Sequence, residues 1–160
     1  MPIQRPACGH PEVVADRVSA VVKPWYRQFY LRRGEAQWAS DQVSDVGYAA
    51  GVEAIGGFMY VGTTMYGSPT GVTVEMTEGE PPAPTEVDRS VVVELGGEGH
   101  LALLSWGDDD PTAVIDAPRG PLRCRVSWTG TEQAAAHPDA ELGGQSPSPE
   151  TILIQVWAIL

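Results

Sequence analysis

The sequence predicts an all-β fold, an antiparallel β-sandwich of the jelly-roll or Greek-key type, with roughly eight strands in a single domain over residues 1–160. Short runs rich in valine, isoleucine, threonine and aromatic residues recur from residue 21 to the C-terminal residue. Eighteen glycines and fourteen prolines punctuate the chain, and no long amphipathic helical pattern lies between the runs. A chain of 160 residues is also near the commonest size of one domain.

The N-terminal third contains one clear strand. Residues 1–17 are expected to be less ordered, and residues 11–22 are the only helix candidate, although a non-helical segment is favoured there. Residues 25–32 alternate as a strand with apolar bulk on both faces, which is typical of an internal strand. Residues 35–54 show neither period and are predicted to form a long loop.

The middle of the chain predicts two β-hairpins. One joins residues 58–64 to residues 72–77, which alternate apolar and polar side chains. The other joins residues 90–95 to residues 100–106 through a glycine-rich turn that can adopt positive φ. Between the hairpins, residues 78–86 contain three prolines, which predicts an extended surface connection from one sheet to the other.

The C-terminal part predicts three further strands. Residues 113–116 form a short one, and residues 151–160 carry apolar side chains on both faces, which indicates a central strand. Residues 130–150 between them are polar and are predicted to form a mobile loop. Residues 122–129 have a strict two-residue period. Their predicted inward residues are Leu122, Cys124, Val126 and Trp128, against Arg123, Arg125, Ser127 and Thr129 outward.

The formal net charge of −11 is unevenly distributed. Residues 1–33 contain six basic and two acidic residues, whereas residues 34–118 contain fifteen acidic residues and Arg89 as their one base. A negative middle segment argues against binding to a phosphate backbone, which basic side chains neutralise. We therefore expect no nucleic-acid ligand, and a basic protein as the partner if there is one.

Neither a membrane nor export is indicated. The longest apolar run, near residues 58–65, is interrupted and falls far short of the roughly 20 residues that span a bilayer. The first residues lack the apolar core of a secretory signal, so we expect a cytoplasmic protein. Cys8 and Cys124 are expected to stay unpaired, with Cys124 buried.

Side chains that carry catalysis are scarce, so we expect a non-enzymatic protein without a metal or cofactor. No serine lies in a G-x-S-x-G turn, and no glycine-rich segment is followed by the lysine of a phosphate-binding loop. Three histidines and two cysteines offer few metal ligands, and three successive aspartates at 108–110 lack the spacing of a calcium loop.

Two groups of residues are candidates for a partner-binding surface. The acidic group lies in two proline-bounded connections, where the chain is normally exposed. It consists of Glu78, Glu80, Glu86, Asp108, Asp109 and Asp110. The aromatic group has the aromatic and arginine content of interface centres, although packing in the core is the favoured explanation. It consists of Tyr26, Tyr30 and Trp38, beside Arg27, Arg32 and Arg33.

Three segments resemble known proteins. They are Val22-Lys23-Pro24-Trp25-Tyr26-Arg27-Gln28-Phe29-Tyr30, Pro121-Leu122-Arg123-Cys124-Arg125-Val126-Ser127-Trp128 and Ile154-Gln155-Val156-Trp157. Together they resemble a family of small uncharacterised β-sandwich proteins, largely actinobacterial, which implies no activity and no catalytic residues. The basic and apolar strand and the terminal Gln-x-Trp are also similar to competence-type nuclease-inhibitor immunity proteins, which implies an inhibitory role.

These observations favour an acidic interaction protein of the inhibitor or immunity type with a basic partner, because complementary charge speeds association. Negative charge that only keeps the domain soluble is the simpler explanation of the acidic middle segment. One alternative is a small-molecule or carbohydrate site built from Trp38, Tyr60, Tyr66 or Trp106 with nearby acids. Another is a structural accessory role in a larger assembly.

Overall fold

Two β-sheets face each other across a shared apolar core in the computed structural model, which describes residues 13, 14 and 16–160. The prediction of a β-sandwich is confirmed, with eleven strands in the described residues rather than roughly eight. The strands are β1 (Val13–Val14), β2 (Arg17–Val22), β3 (Gln28–Arg33), β4 (Val52–Ile55), β5 (Phe58–Gly62), β6 (Thr70–Thr77), β7 (Arg89–Leu95), β8 (Leu101–Ser105), β9 (Ala113–Ile115), β10 (Leu122–Thr129) and β11 (Thr151–Ala158).

The first sheet has the strand order β1-β9-β8-β3-β5-β4, and the second has the order β2-β6-β11-β10-β7. Neighbouring strands are antiparallel except for two parallel pairs, β1 with β9 and β6 with β11. The central position predicted for the last strand is confirmed, since β11 lies third of five in the second sheet. Two short helices, α1 (Asp45–Ala50) and α2 (Thr131–Ala136), complete the regular elements. Among the residues that the structure describes, no helix is long and apolar enough to cross a bilayer.

Alternating side chains of both sheets fill the core. The inward face predicted for β10 is confirmed, because Leu122, Cys124, Val126 and Trp128 are all buried there. A second apolar cluster covers the outer face of the first sheet and includes Tyr30, Phe58 and Leu104. The first sheet is therefore buried on both sides, which explains why every residue of β5 and β8 is buried.

Both predicted hairpins are wrong. β5 belongs to the first sheet and β6 to the second, and β7 belongs to the second and β8 to the first. Each connection therefore crosses the sandwich, over the roughly 10 Å that separates packed sheets. A two-residue period identifies a strand but does not show which strand lies beside it. The hairpins were predicted from the glycine-containing turns alone, and here those turns connect strands of different sheets.

The prediction that residues 78–86 connect one sheet to the other is also wrong, because β6 and β7 belong to the same sheet, with β11 and β10 between them. The segment crosses the outer face of that sheet. Arg125 of β10 donates to the carbonyl oxygen of Pro81 at 2.9 Å and forms an ion pair with Glu80 at 3.1 Å. This cover explains why Arg125, predicted to face solvent, is buried. Ser127, also predicted to face solvent, is buried too, and its hydroxyl forms a hydrogen bond of 2.8 Å with that of Ser90 in β7.

Four segments differ from the sequence prediction. Residues 25–27 form a 3₁₀ turn, so β3 begins only at Gln28. The predicted loop at residues 35–54 contains a 3₁₀ turn, α1 and β4, elements too short to show a period. Residues 130–150 contain α2, and their mobility stays a prediction. The helix candidate at residues 11–22 is a strand from Arg17 onward, and Cys8 and most of residues 1–17 lie outside the described residues.

Candidate functional site

Four aromatic side chains meet at the end of the sandwich where β2, β5 and β8 finish, and we call them the aromatic patch. Trp25 and Tyr26 follow β2, Tyr66 follows β5, and Trp106 follows β8. Ring centroids lie 5.7 Å apart for Trp25 and Tyr66, 5.5 Å for Tyr26 and Tyr66, and 4.6 Å for Tyr26 and Trp106. Trp25 is 38% exposed, Tyr26 57% and Trp106 38%, so the patch is contiguous and open to solvent.

A strained backbone conformation positions Tyr26 in the patch. Tyr26 and Arg27 have φ of 56° and 59°, and they are the only non-glycine residues with positive φ in the described chain. Such a conformation costs an L-residue about 1–2 kcal/mol. The turn is held at both sides, because the Arg27 amide donates to the carbonyl oxygen of Pro24 and the Thr63 amide donates to that of Arg27, each at 2.9 Å.

Two glycines leave the space in which the ring of Trp25 packs. Gly67 and Gly143 have φ of +71° and +66°, which L side chains rarely adopt. A Cβ atom would lie 2.6 Å from the Trp25 ring at Gly67 and 2.9 Å from it at Gly143. The indole therefore rests against bare backbone of two connections, and a side chain at either glycine would push it out.

Acidic side chains border the patch. Glu141 forms an ion pair with Arg27 at 2.6 Å and is itself 80% exposed. Asp108, Asp109 and Asp110 follow Trp106 in the same connection and are exposed. The amide of Asp108 donates to the carbonyl oxygen of Ser105 at 3.2 Å, which closes the turn that carries Trp106. An exposed aromatic centre with a negative border is thus present at this end.

The structure separates the predicted aromatic group. Tyr26 belongs to the patch, whereas Trp38 lies on the outer face of the first sheet and covers Tyr30, with ring centroids 5.0 Å apart. Tyr30 is fully buried, and this burial raises the pKa of its hydroxyl. The prediction of Tyr30 as part of a surface patch is therefore wrong, because its side chain fills the second apolar cluster.

The predicted acidic group is exposed but divided. Glu78, Glu80 and Glu86 lie in the connection over the second sheet, while residues 108–110 follow β8 of the first sheet. Asp108 and Asp109 share a cleft of about 390 Å³ with Trp38. Its other lining residues are Arg32, Leu104 and Gly107. Two predicted acids and one predicted aromatic residue are thus brought together, away from the three glutamates.

A second cleft, of about 300 Å³, adjoins the aromatic patch at Tyr26. Arg89 lies in its wall, with its guanidinium carbon 3.8 Å from the ring centroid of Trp128. Glu150 is buried at the cleft and accepts from the amide of Thr64 at 2.9 Å and from its hydroxyl at 2.6 Å. Burial nevertheless raises the pKa of Glu150 and raises the pKa of Tyr60, another lining residue, to about 12.

Sequence analysis missed Arg89 and Glu150 as site residues. Arg89 did carry a signal, as the one base among fifteen acids in residues 34–118. Glu150 carried none, because it ends a polar segment and precedes β11. Within residues 16–160, no three histidine, cysteine or acidic side chains converge in a way that would hold a metal ion. The thiol of Cys124 is buried in the core, which raises its pKa to about 12.

Two solved structures resemble this chain in fold. One is ComJ from Bacillus subtilis, an inhibitor of the DNA-degrading activity of NucA, with a TM-score of 0.64 and 13% identity over 89% of this chain and 96% of ComJ. The other is the crocagin biosynthetic gene J protein, with a TM-score of 0.55 and 13% identity over 91% of this chain and 97% of that protein. No family model and no curated protein matches the sequence. The resemblance to competence-type nuclease inhibitors is confirmed at the level of the fold, and that to an actinobacterial family stays a prediction.

Proposed function

We propose that this protein is a non-enzymatic inhibitor or immunity protein that binds a basic protein partner through the aromatic patch. The patch is the observation that carries the proposal. Single exposed apolar residues are ordinary on a protein surface, but a contiguous cluster of them is typical of an interaction site. Tryptophan and tyrosine are the residues most enriched among those that dominate binding energy.

The backbone supports the same conclusion. A sequence under selection for stability alone has no reason to retain two successive strained residues, Tyr26 and Arg27, at the surface. This backbone conformation places the Tyr26 ring between Tyr66 and Trp106, where it is more exposed than either tryptophan of the patch. A rigid, preformed aromatic surface loses little conformational entropy when a partner binds.

The charge distribution supports the proposal of a basic partner. Asp108, Asp109, Asp110 and Glu141 border the patch within a chain of net charge −11. Complementary charge steers a basic partner towards this end and raises the association rate. Glu78, Glu80 and Glu86 lie over the other sheet, so in this proposal they add to the long-range field and not to the contact.

A DNA-degrading enzyme fits this description of the partner. Such an enzyme must present basic side chains to the phosphate backbone of its substrate. An acidic surface with an aromatic centre would cover those side chains and exclude the DNA. The shared fold with ComJ, which inhibits such an activity, supports this choice. A single domain over residues 1–160 and a cytoplasmic location belong to the same proposal.

Site-specific photo-crosslinking in the native cell tests the proposal. A photoreactive phenylalanine analogue replaces Trp106 in the patch or, as the control, Val92 of β7, which is 48% exposed on the other sheet. We expect a basic protein with DNA-degrading activity to be captured from position 106 and not from position 92. Equal capture from both positions, or a captured protein without that activity, would overturn the proposal.

A small-molecule or carbohydrate site is the second candidate, and the cleft that brings Trp38 together with Asp108 and Asp109 favours it. An indole face beside two carboxylates can stack on a sugar ring and accept hydrogen bonds from its hydroxyls. A ligand that binds the native state raises the melting temperature by mass action. A shift with a sugar that disappears in Trp38→Ala would favour this second function, and no shift across a panel of sugars would exclude it.

A further inference from the structure

We infer that the cleft beside the aromatic patch is a binding site for a small organic anion, a planar body that carries a carboxylate or phosphate group. The inference goes beyond the proposed function and does not depend on it. The cleft of about 300 Å³ has the size of a small-ligand site. Two arginines line it, Arg27 and Arg89, together with the aromatic residues Tyr26, Tyr48, Tyr60 and Trp128.

Arg89 is fixed in position without a directly paired carboxylate among the described residues. Its guanidinium lies over the indole of Trp128 and donates to the carbonyl oxygen of Ala50. The indole is itself fixed, because its Nε1 donates to the carbonyl oxygen of Gly62 at 2.9 Å. Within residues 16–160, Arg89 forms no ion pair. A preorganised guanidinium with remaining donors is suited to a carboxylate or phosphate, which it can bind through two parallel hydrogen bonds.

Arg27 supplies a second positive charge. One terminal nitrogen pairs with Glu141, a side chain that is 80% exposed, so solvent screens this ion pair. The Nε of Arg27 is enclosed and has no acceptor among the described residues. An anion in the cleft would accept hydrogen bonds from Arg89 and would be attracted by the charge of Arg27.

The remaining walls favour a planar ligand. Tyr48 and Tyr60 contact each other edge to face, with centroids 5.1 Å apart. Burial raises the pKa of the Tyr60 hydroxyl to about 12. Like any tyrosine hydroxyl it is protonated at neutral pH, so it can donate to a ligand. Aromatic rings of the ligand can pack against these tyrosines while the anionic group meets the two arginines.

Replacing Glu150 should change anion binding in the opposite direction to replacing an arginine of the cleft. Each of its oxygens accepts one hydrogen bond from Thr64, which fixes the carboxyl group at the cleft. Its negative charge opposes an anion in the same cleft. Removing that charge should therefore strengthen binding of an anion, whereas it would weaken binding of a cation or a zwitterion.

The experiment is titration of the purified full chain with phenyl phosphate, benzoate and benzyl alcohol, followed by calorimetry and by the indole N–H resonance of Trp128. We expect one or both anions to bind and the uncharged alcohol not to. Arg89→Gln should weaken binding about tenfold or more, because it removes charge-assisted hydrogen bonds, and Arg27→Gln should also weaken it, because it removes the second positive charge. Glu150→Gln should tighten it. Whichever anion binds better identifies the group, carboxylate or phosphate, for which the site is suited.

Arg123→Gln is the matched control, because Arg123 is an exposed arginine of β10 paired with Glu94 outside the cleft. It should bind the anion like the wild type. Arg89→Lys keeps the charge and loses the planar fork, so it should weaken binding while leaving the melting temperature close to that of the wild type. Absence of binding by both anions, equal binding of benzyl alcohol, or an equal loss in Arg123→Gln would each overturn the inference.

Discussion

Replacing Arg33 with methionine should destabilise the fold by about 4 kcal/mol. Arg33 ends β3, is fully buried and donates to four carbonyl oxygens of the two connections beside it. The acceptors are Gly97 at 3.1 Å, Gly99 at 3.2 Å, Pro118 at 2.7 Å and Gly120. Each orphaned carbonyl costs about 1–3 kcal/mol, and the lower value applies because these connections are partly exposed and water can reach them.

The assay is urea unfolding followed by tryptophan fluorescence, with Arg123→Met as the control. Arg123 forms an exposed ion pair with Glu94 at 3.4 Å, which should contribute less than about 1 kcal/mol. Arg33→Lys keeps the charge but fewer of the hydrogen bonds, so its stability should fall between wild type and Arg33→Met. A loss below about 1 kcal/mol, or a loss no greater than that of Arg123→Met, would refute the argument that Arg33 holds the crossing connections together.

Three further outcomes are expected. Burial raises the pKa of Glu150, so the folded state retains a proton that the unfolded state releases. Glu150→Gln should therefore raise the unfolding free energy above that of the wild type by an amount that grows as pH rises from 4.5 through the raised pKa. A difference between the two proteins that does not change with pH would contradict this. In a Cys8→Ser variant, Cys124 should react with a thiol reagent only as fast as the protein unfolds, because its side chain is buried and its pKa is raised to about 12. Rapid labelling of the native protein would contradict the placement of Cys124 in the core. Replacing Asp108, Asp109 and Asp110 with asparagine should slow partner association more than it speeds dissociation, and the difference should shrink at high salt; an association rate unchanged at low salt would leave these acids as a solubility feature.

The sequence predicted strands better than it predicted their neighbours. The two-residue period in β10 identified the inward face, because one face of that strand packs in the core. The same period placed Arg125 at the surface, although residues 78–88 cover it. The turn before β8 had the composition of a hairpin, yet Arg33, more than sixty residues away, helps to hold it as a crossing between sheets. Contacts between segments so far apart leave no local pattern.

The candidate site was predicted in part for the same reason. Tyr26 was noted in the partner-binding group, and Tyr66 and Trp106 in the alternative small-molecule site. Nothing in the sequence shows that the ends of β2, β5 and β8 meet and bring the three together. Tyr30 lies on a strand with apolar bulk on both faces, a pattern that already indicated burial. Arg89 and Glu150 come together only in the folded chain.

The central claim is that the aromatic patch binds and inhibits a basic, DNA-degrading partner, and an inhibition titration of the captured partner tests it most directly. Residual DNA degradation is measured against increasing concentrations of wild type, Trp106→Ala and the control Val92→Ala. The proposal predicts that wild type and Val92→Ala abolish degradation at the same concentration, and that Trp106→Ala requires about 30-fold more, the equivalent of a loss of about 2 kcal/mol at the centre of an interface. Equal potency of Trp106→Ala and wild type, or undiminished degradation at saturating wild-type protein, would contradict it.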